Sequence, residues 1–497
     1  MTEVVEVTGA VLSIDPTSSR SATNITTEQI DNLAKSGRGF NSLLALAPGV
    51  FLEPKNGSAG VGGVQVGGSS GAENAFYVDG AEVSDLRRGS LRESNNIPFE
   101  FVQEIQVKSG GFEAEFGGAT GGVVNVATRS GTNEFHGSLG VAYTGDGLNG
   151  RDRGYYQRSP LNADASDFFQ PKEDDYSIVS PSFTFGGPIL KDRLNFFTAY
   201  SPDIENTTRV IDYASGTRTF EQKNRRHFSV ARLDFAASPR LQLNASYLWS
   251  PSKRDGSLPN RDIRVAPPSN DQSILGGFVP AQTATAGLNW NPNSKFVVSA
   301  RYGYKFQNDK DGNYGIPSSP FVTYQTASSA AGLPVAVPGG GGFNTVSTTL
   351  QTVEDATSRH NAYLDMTYAL NTHTFKAGYA LNRVGNDVSI DYPNGRFLMY
   401  WGDSFSRASF QNVKGTYGYY TWEDGVRNSG AVTSRNQSIY LQDTWRPGRK
   451  LTLNLGVRIE NEFLPPFKRR STASRWPIRS PSAGATRSRP APASPGT

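Results

Sequence analysis

Side chains in the C-terminal two-thirds of this chain sort by parity, and the segments that do so are joined alternately by short turns and long polar stretches. Residues 228–236 lead through Ser238, Pro239 and Arg240 into 241–249. There Leu241, Leu243, Ala245, Tyr247 and Trp249 take one set of alternate positions, and Gln242, Asn244 and Ser246 the other. A two-residue repeat marks a strand whose faces meet different surroundings. Residues 284–290 turn at 291–294 into 296–306, where Phe296, Val298, Ala300, Tyr302, Tyr304 and Phe306 alternate with Val297, Ser299, Arg301, Gly303 and Lys305. Hairpins of the same form are predicted at 182–200, 363–384 and 438–463, which makes five. Between them lie polar stretches at 144–175, 203–226, 250–282, 308–359 and 385–437. Connections that long are uncommon inside compact soluble domains. Brief turns at one end and long loops at the other are the pattern of an outer-membrane β-barrel, and Trp249, Trp290 and Trp445 fall where two interfacial girdles would lie. A soluble sandwich, propeller or β-helix would share the strands but not this asymmetry.

Bulk properties permit this. No run of eighteen or more apolar residues occurs, so a helical span is excluded. A closed sheet satisfies its backbone internally and exposes only every second side chain to lipid, so a mean hydropathy of -0.46 is no objection. The absence of cysteine removes disulfide, thiol and zinc-cluster chemistry. The net charge of +4 does not indicate a nucleic-acid surface, because residues 468–497 hold seven Lys/Arg and no Asp/Glu. Met1, Thr2, Glu3 and Val4 do not open a secretory signal, so the expectation is a mature or truncated N-terminus.

Residues 1–134 follow different rules. A helix is predicted over 27–47, with Thr27 as its cap and Pro48-Gly49 as its stop. Short strands follow, with seven glycines between Gly57 and Gly71 and six between Gly110 and Gly122. The expectation is a small α+β domain.

Several segments here carry a family likeness. Val4-Val5-Glu6-Val7-Thr8-Gly9, residues 43–50 (LLALAPGV), Tyr77-Val78-Asp79-Gly80, residues 101–112 (FVQEIQVKSGGF) and Glu115-Phe116-Gly117-Gly118 resemble the plug domain of TonB-dependent outer-membrane receptors. Residues 121–131 (GGVVNVATRSG) resemble the sequence that closes such plugs. Residues 185–193 (FGGPILKDR) resemble the early barrel of the Oar-like branch of that family, and 451–460 (LTLNLGVRIE) a strand midway around it. The resemblance implies a plug inside a 22-stranded antiparallel transmembrane barrel, surrounded by outer-membrane lipid, with transport energy delivered by the TonB complex of the inner membrane to import an unknown extracellular ligand. One strand at 135–143 plus the five hairpins gives eleven. The expectation is therefore a mainly β chain: plug at 1–134, about half a barrel at 135–466, and a disordered basic tail at 467–497. The tail reads as a frameshift or as a native extension, and truncation at both ends is expected.

The resemblance also implies sites. The segment Glu3, Val4, Val5, Glu6, Val7 and Thr8 either pairs with TonB by strand addition or is the first strand of the plug. The plug motifs are Asp79, Gly80, Lys108, Gly110, Gly117, Gly118, Gly121, Gly122 and Arg129. Asp79, Lys108 and Arg129 are expected either to hold the plug against the lumen, where buried charges must be paired, or to be solvated turn charges. Asn74 and Tyr77 are the candidate ligand apex. Enzymatic motifs are absent: Gly67-Gly68-Ser69-Ser70-Gly71 lacks a following helix and a His/Asp pattern, and Asp309, Asp311 and Asn313 lack the glycine and glutamate of a calcium loop. His136, His227, His360 and His373 stand apart at strand ends, which fits interface roles better than metal ligation. No cofactor and no metal are expected. The alternatives to energy-coupled uptake are a passive porin, and a surface adhesin or structural β-barrel.

Overall fold

The computed structural model describes residues 21–32, 37–52, 63–85, 91–150, 153–158, 166–170, 172–213, 215–259, 261, 272–313, 321–324, 352–407, 410–416, 418–448 and 451–464. Residues 3–8, residues 57–62 of the first glycine cluster and the tail at 467–497 lie outside them. Two units divide the chain. One comprises Met1–Gly315, Val353–Val388 and Gly430–Lys468, and the other Ile316–Thr352, Ser389–Ser429 and Arg469–Thr497. In the second, Phe321–Tyr324 pairs in parallel with residues 396–399, and Phe405–Arg407 forms a hairpin with Phe410–Val413.

In the first unit, five strands form a small mixed sheet: β1 (Ser21–Thr26), β2 (Ala75–Val78), β3 (Ala81–Glu82), β4 (Val102–Gly110) and β5 (Val123–Thr128), in the order β1-β4-β5-β2-β3. Ile25 lies opposite Ile105, Ile105 opposite Val126, and Phe76 beside Val124. These side chains enclose one core with Ile30, Phe40, Leu43, Leu44 and Phe101. The helix predicted over 27–47 is shorter than expected. It is α1 (Thr27–Asn32), and farther on a separate 3-10 helix runs over Phe40–Leu46. Gly37 and Gly39 fall between, each costing a helix about 1 kcal/mol relative to alanine. Buried Phe40, Leu43 and Leu44 supply the helical period without one continuous helix.

The remainder of the first unit is built on a second sheet, the wall, three of whose strands also carry residues of the second unit, at 352, 389–401 and 418–429. Its long strands are β6 (His136–Gly145), β7 (Asp175–Leu190), β8 (Leu194–Tyr213), β9 (Gly216–Ser238), β10 (Leu241–Trp249), β11 (Ala281–Asn293), β12 (Phe296–Asn313), β13 (Thr352–Leu370), β14 (His373–Trp401), β15 (Gly418–Trp445) and β16 (Leu453–Phe463). They neighbour one another in that order, with β6 and β16 at the two ends. Near the β9–β12 loops, Ser252–Asp255 and Leu275–Val279 continue the sheet between β9 and β12. The five predicted short turns join β7 to β8, β9 to β10, β11 to β12, β13 to β14 and β15 to β16.

Much of what read as long loop is strand. Residues 203–226 form a continuous ladder, from Asp203 opposite Arg226 to Tyr213 opposite Gly216. Far from the short turns the outward parity is no longer apolar, so the contrast that produces period two fades, although Ile211, Tyr213 and Phe220 bury a small cluster there and the backbone pairing continues. Below that level parity holds. Leu233, Phe235, Tyr247 and Trp249 point outward and are exposed, whereas Arg232, Asp234 and Ser246 point inward. The inner face is not uniformly polar: Phe197, Ala199, Phe228, Val230 and Leu248 join the core of the small sheet.

Candidate functional site between the N-terminal domain and the wall

The turn from β2 to β3 requires two residues in the left-handed region, Asp79 at φ 47 and Gly80 at φ 82. That backbone is the Asp-Gly form of a tight hairpin, and it aims the Asp79 carboxylate into the wall. Asp79 accepts hydrogen bonds from the Thr128 amide at 2.9 Å, the Thr128 hydroxyl at 2.7 Å and the Ser246 hydroxyl at 2.8 Å. It also pairs with Arg232 at 3.3 Å. Arg232 is held in turn by Asp234 at 2.9 Å and donates to the Thr128 carbonyl at 2.9 Å. A Cβ at Gly80 would lie 3.2 Å from Arg301 Cδ.

Farther from the short turns the contacts continue. Glu82 pairs with Arg359 at 2.9 Å, accepts from Asn382 at 3.1 Å, and its amide donates to Asn361 at 3.1 Å. Arg359 also donates to the Ser84 carbonyl at 2.9 Å, and the Lys305 ammonium to the Val83 carbonyl at 2.8 Å. Arg92 bridges Asp85 and Asp309. On another side, Glu115 pairs with Lys376 at 2.5 Å, and Arg458 donates to the carbonyls of Ala114 and Glu115 at 3.1 and 2.9 Å. Tyr77 meets Tyr363 edge-on at 6.5 Å, and Arg301 lies over the Tyr363 ring.

The predicted residues divide between this interface and the interior of the small domain. Lys108 pairs with Glu113 at 3.3 Å and sits over the Phe116 ring, and Arg129 pairs with Asp31 at 3.3 Å and donates to the Val102 carbonyl. These are contacts within the domain. Gly117 is a close approach to the wall, where a Cβ would lie 2.2 Å from Glu460. Gly121 and Gly122 leave no room for a Cβ beside Asn74 and Val66, whereas Gly110 has open space and Gly118 adopts φ +73. Asn74 and Tyr77 are placed differently from an outward apex. Both are buried, Asn74 accepting from the Gly122 amide at 2.6 Å and donating to Val64. Burial holds the Tyr77 hydroxyl well above its ordinary pKa, and Tyr363 and Glu82 push the same way. Among the described residues, no group of three His, Asp or Glu is arranged to hold a metal ion.

The partners that sequence reading missed are the wall cations Arg232, Arg359, Lys376 and Arg458. One signal could have found them: each occupies inward parity on a strand whose other parity is apolar.

A cavity of about 270 Å³ opens at the far side of the small domain from the short turns, lined by Ser84, Asp85, Arg92, Lys305, Arg359 and Asn386 among others. A second, about 340 Å³, lies along the inner face of β7–β9 farther from the short turns and includes Asp174, Arg209 and Arg261. Burial alone would raise the Asp174 carboxyl, but hydrogen bonds from Arg209 and Arg261 outweigh it and hold the group below the usual carboxylate range.

Comparison with known proteins agrees with this geometry. Residues 201–476 match the family described as outer membrane beta barrel domain, and 16–123 match the TonB-dependent receptor plug domain. The chain is 27% identical to the TonB-dependent transporter Oar of Myxococcus xanthus, over 93% of this chain and 49% of that protein. It superposes on the outer membrane transporter YddB of Escherichia coli with a TM-score of 0.62 at 14% identity, covering 89% of this chain and 56% of that one. For FpvA of P. aeruginosa, solved with heterologous pyoverdines, the TM-score is 0.54 at 14% identity, covering 90% and 53%. The chain thus spans about half the length of these relatives.

Proposed function

Because this chain belongs to the TonB-dependent receptors of the Gram-negative outer membrane, a family of transporters and not of enzymes, we propose that it serves energy-coupled uptake of a scarce nutrient. A ligand arriving from outside settles above the plug, in the cavity beside Ser84, Asp85 and Arg92. Force delivered by the TonB complex then shifts the plug and opens a path along the wall. The observation that carries this reading is the chemistry of the plug–wall contact. Asp79 with Arg232, Glu82 with Arg359, Arg92 with Asp309, and Glu115 with Lys376 are ion pairs. Such pairs exchange for water at a modest net cost, because the attraction lost is offset by hydration regained. A plug held this way can leave its seat and return. A passive porin has no use for such a stopper, and an adhesin none for reversible pairs inside its lumen.

The same reading assigns residues 1–134 to the plug, 135–466 to about half of a 22-stranded barrel and 467–497 to a basic tail. Its support is the eleven long strands of the wall, in chain order, among the described residues and the half-length match to relatives. It places TonB contact at Glu3, Val4, Val5, Glu6, Val7 and Thr8, outside the described residues, by strand addition. The test is cysteine scanning of these six positions in Gram-negative cells whose TonB carries a partner cysteine. A disulfide-linked product at alternate positions is expected, and its absence at all six would refute coupling through this segment.

A further inference from the structure

On the outward face of β8–β10, Tyr200, His227 and Trp249 form one group. The Tyr200 hydroxyl and His227 Nδ1 are 2.8 Å apart, and the His227 ring lies 6.2 Å from Tyr200 and 5.7 Å from Trp249 between centroids. Trp249 ends a nine-residue strand that starts at the short turn. A strand needs about 9–11 residues to cross the hydrocarbon, so this group stands at its outer boundary. Continuing outward on the same face of β9 come Arg225 and then Lys223, each step on the order of 7 Å. Ladder pairing puts Ile204 on one side of Arg225 and Lys253 on the other, and Phe278 beyond Lys253. Lys253 is committed to Asp255 at 2.8 Å. Arg225 and Lys223 are exposed and make no ion pair among the described residues. Glu221 bounds the patch farther out.

Two unpaired cations thus sit directly above an aromatic belt, framed by exposed Ile204 and Phe278. A water-soluble anion would gain nothing from that apolar frame. An anionic lipid would use all of it, with headgroup phosphate on the cations and acyl chains against the rings. We propose that this outward patch binds the phosphate of an anionic lipid headgroup in the outer leaflet, through Arg225 and Lys223.

The test is titration of the full chain, folded in detergent micelles, with diphosphoryl lipid A and with the same lipid stripped of phosphate. Each basic residue near a membrane surface contributes about 1 kcal/mol, or about fivefold in affinity. Arg225→Ser combined with Lys223→Ser is therefore expected to weaken diphosphoryl binding roughly 30-fold. Arg225→Lys keeps the charge and the affinity. Lys310→Ser, whose ammonium already pairs with Glu354 at 3.1 Å, leaves binding unchanged. Undiminished binding by the double variant, equal binding of the phosphate-free lipid, full competition by inorganic phosphate, or self-association in place of lipid binding would each overturn the assignment.

Discussion

Replacing Asp79 by asparagine isolates the electrostatic part of the plug's attachment. Asparagine keeps the side-chain shape and tolerates the left-handed backbone at φ 47, where alanine would add about 1–2 kcal/mol of strain. The carboxylate accepts from two donors of Thr128 and one of Ser246 and faces Arg232 at 3.3 Å, and only 6% of its side chain is exposed. Hydrogen bonds to a charged group contribute about 1.5–3 kcal/mol and neutral ones about 0.5–1.5. The hydroxyls of Thr128 and Ser246 can turn to meet the new amide, and Arg232 retains Asp234 at 2.9 Å, so neither side is left with a bare buried charge. The net loss is then about 2 kcal/mol, roughly 30-fold in the balance between seated and released plug. Hydrogen exchange reads this directly. Amides of Val123–Thr128 in β5 are expected to exchange roughly 30-fold faster in Asp79→Asn, while those of Leu241–Trp249 in β10 keep their rate. Unchanged protection of β5, or equal acceleration in both strands, would refute the view that Asp79 fastens the plug.

Other expectations follow from the same geometry. Arg359→Met strips part-buried Glu82 of its counter-charge and should cost up to about 3 kcal/mol, seen as a lowered thermal midpoint that Glu82→Gln in the same chain partly restores. Gly303→Ala places a Cβ 2.5 Å from Ala81 Cβ and 2.9 Å from its Cα, so plug protection should fall by about 1–3 kcal/mol while the wall stays folded. The Asp174 carboxyl, held low by Arg209 and Arg261, stabilises the fold above the ordinary carboxylate value of about 3.9 and ceases to do so as pH falls through its lowered value. Proteolysis of the 208–222 hairpin should therefore accelerate only in strong acid. Tyr77, pushed up by burial, favours the fold below the ordinary tyrosine value and loses that contribution only as pH rises through its raised one. The absorbance difference between wild type and Tyr77→Phe should show no phenolate near pH 10.

Parity along a strand reports a contrast between two surroundings, so sequence alone determined which strands of the wall carry an apolar outward face and which residues form it. It located the five short turns, the outward Leu233, Phe235, Tyr247 and Trp249, and the separate N-terminal domain. Farther from the short turns the outward face is no longer apolar, and only backbone pairing could reveal that residues 203–213 and 216–226 are strand. Glycine-broken helical spacing likewise overstated the helix at 27–47. Which charges meet was decided by tertiary structure. Asp79 finds Arg232 because a left-handed turn aims it there, whereas Lys108 and Arg129, equally charged, close on Glu113 and Asp31 within their own domain. Asn74 and Tyr77 were removed from any outward role by the packing that buries them. A pairing between residues more than a hundred positions apart depends on how two sheets are seated, and no local pattern carries that information.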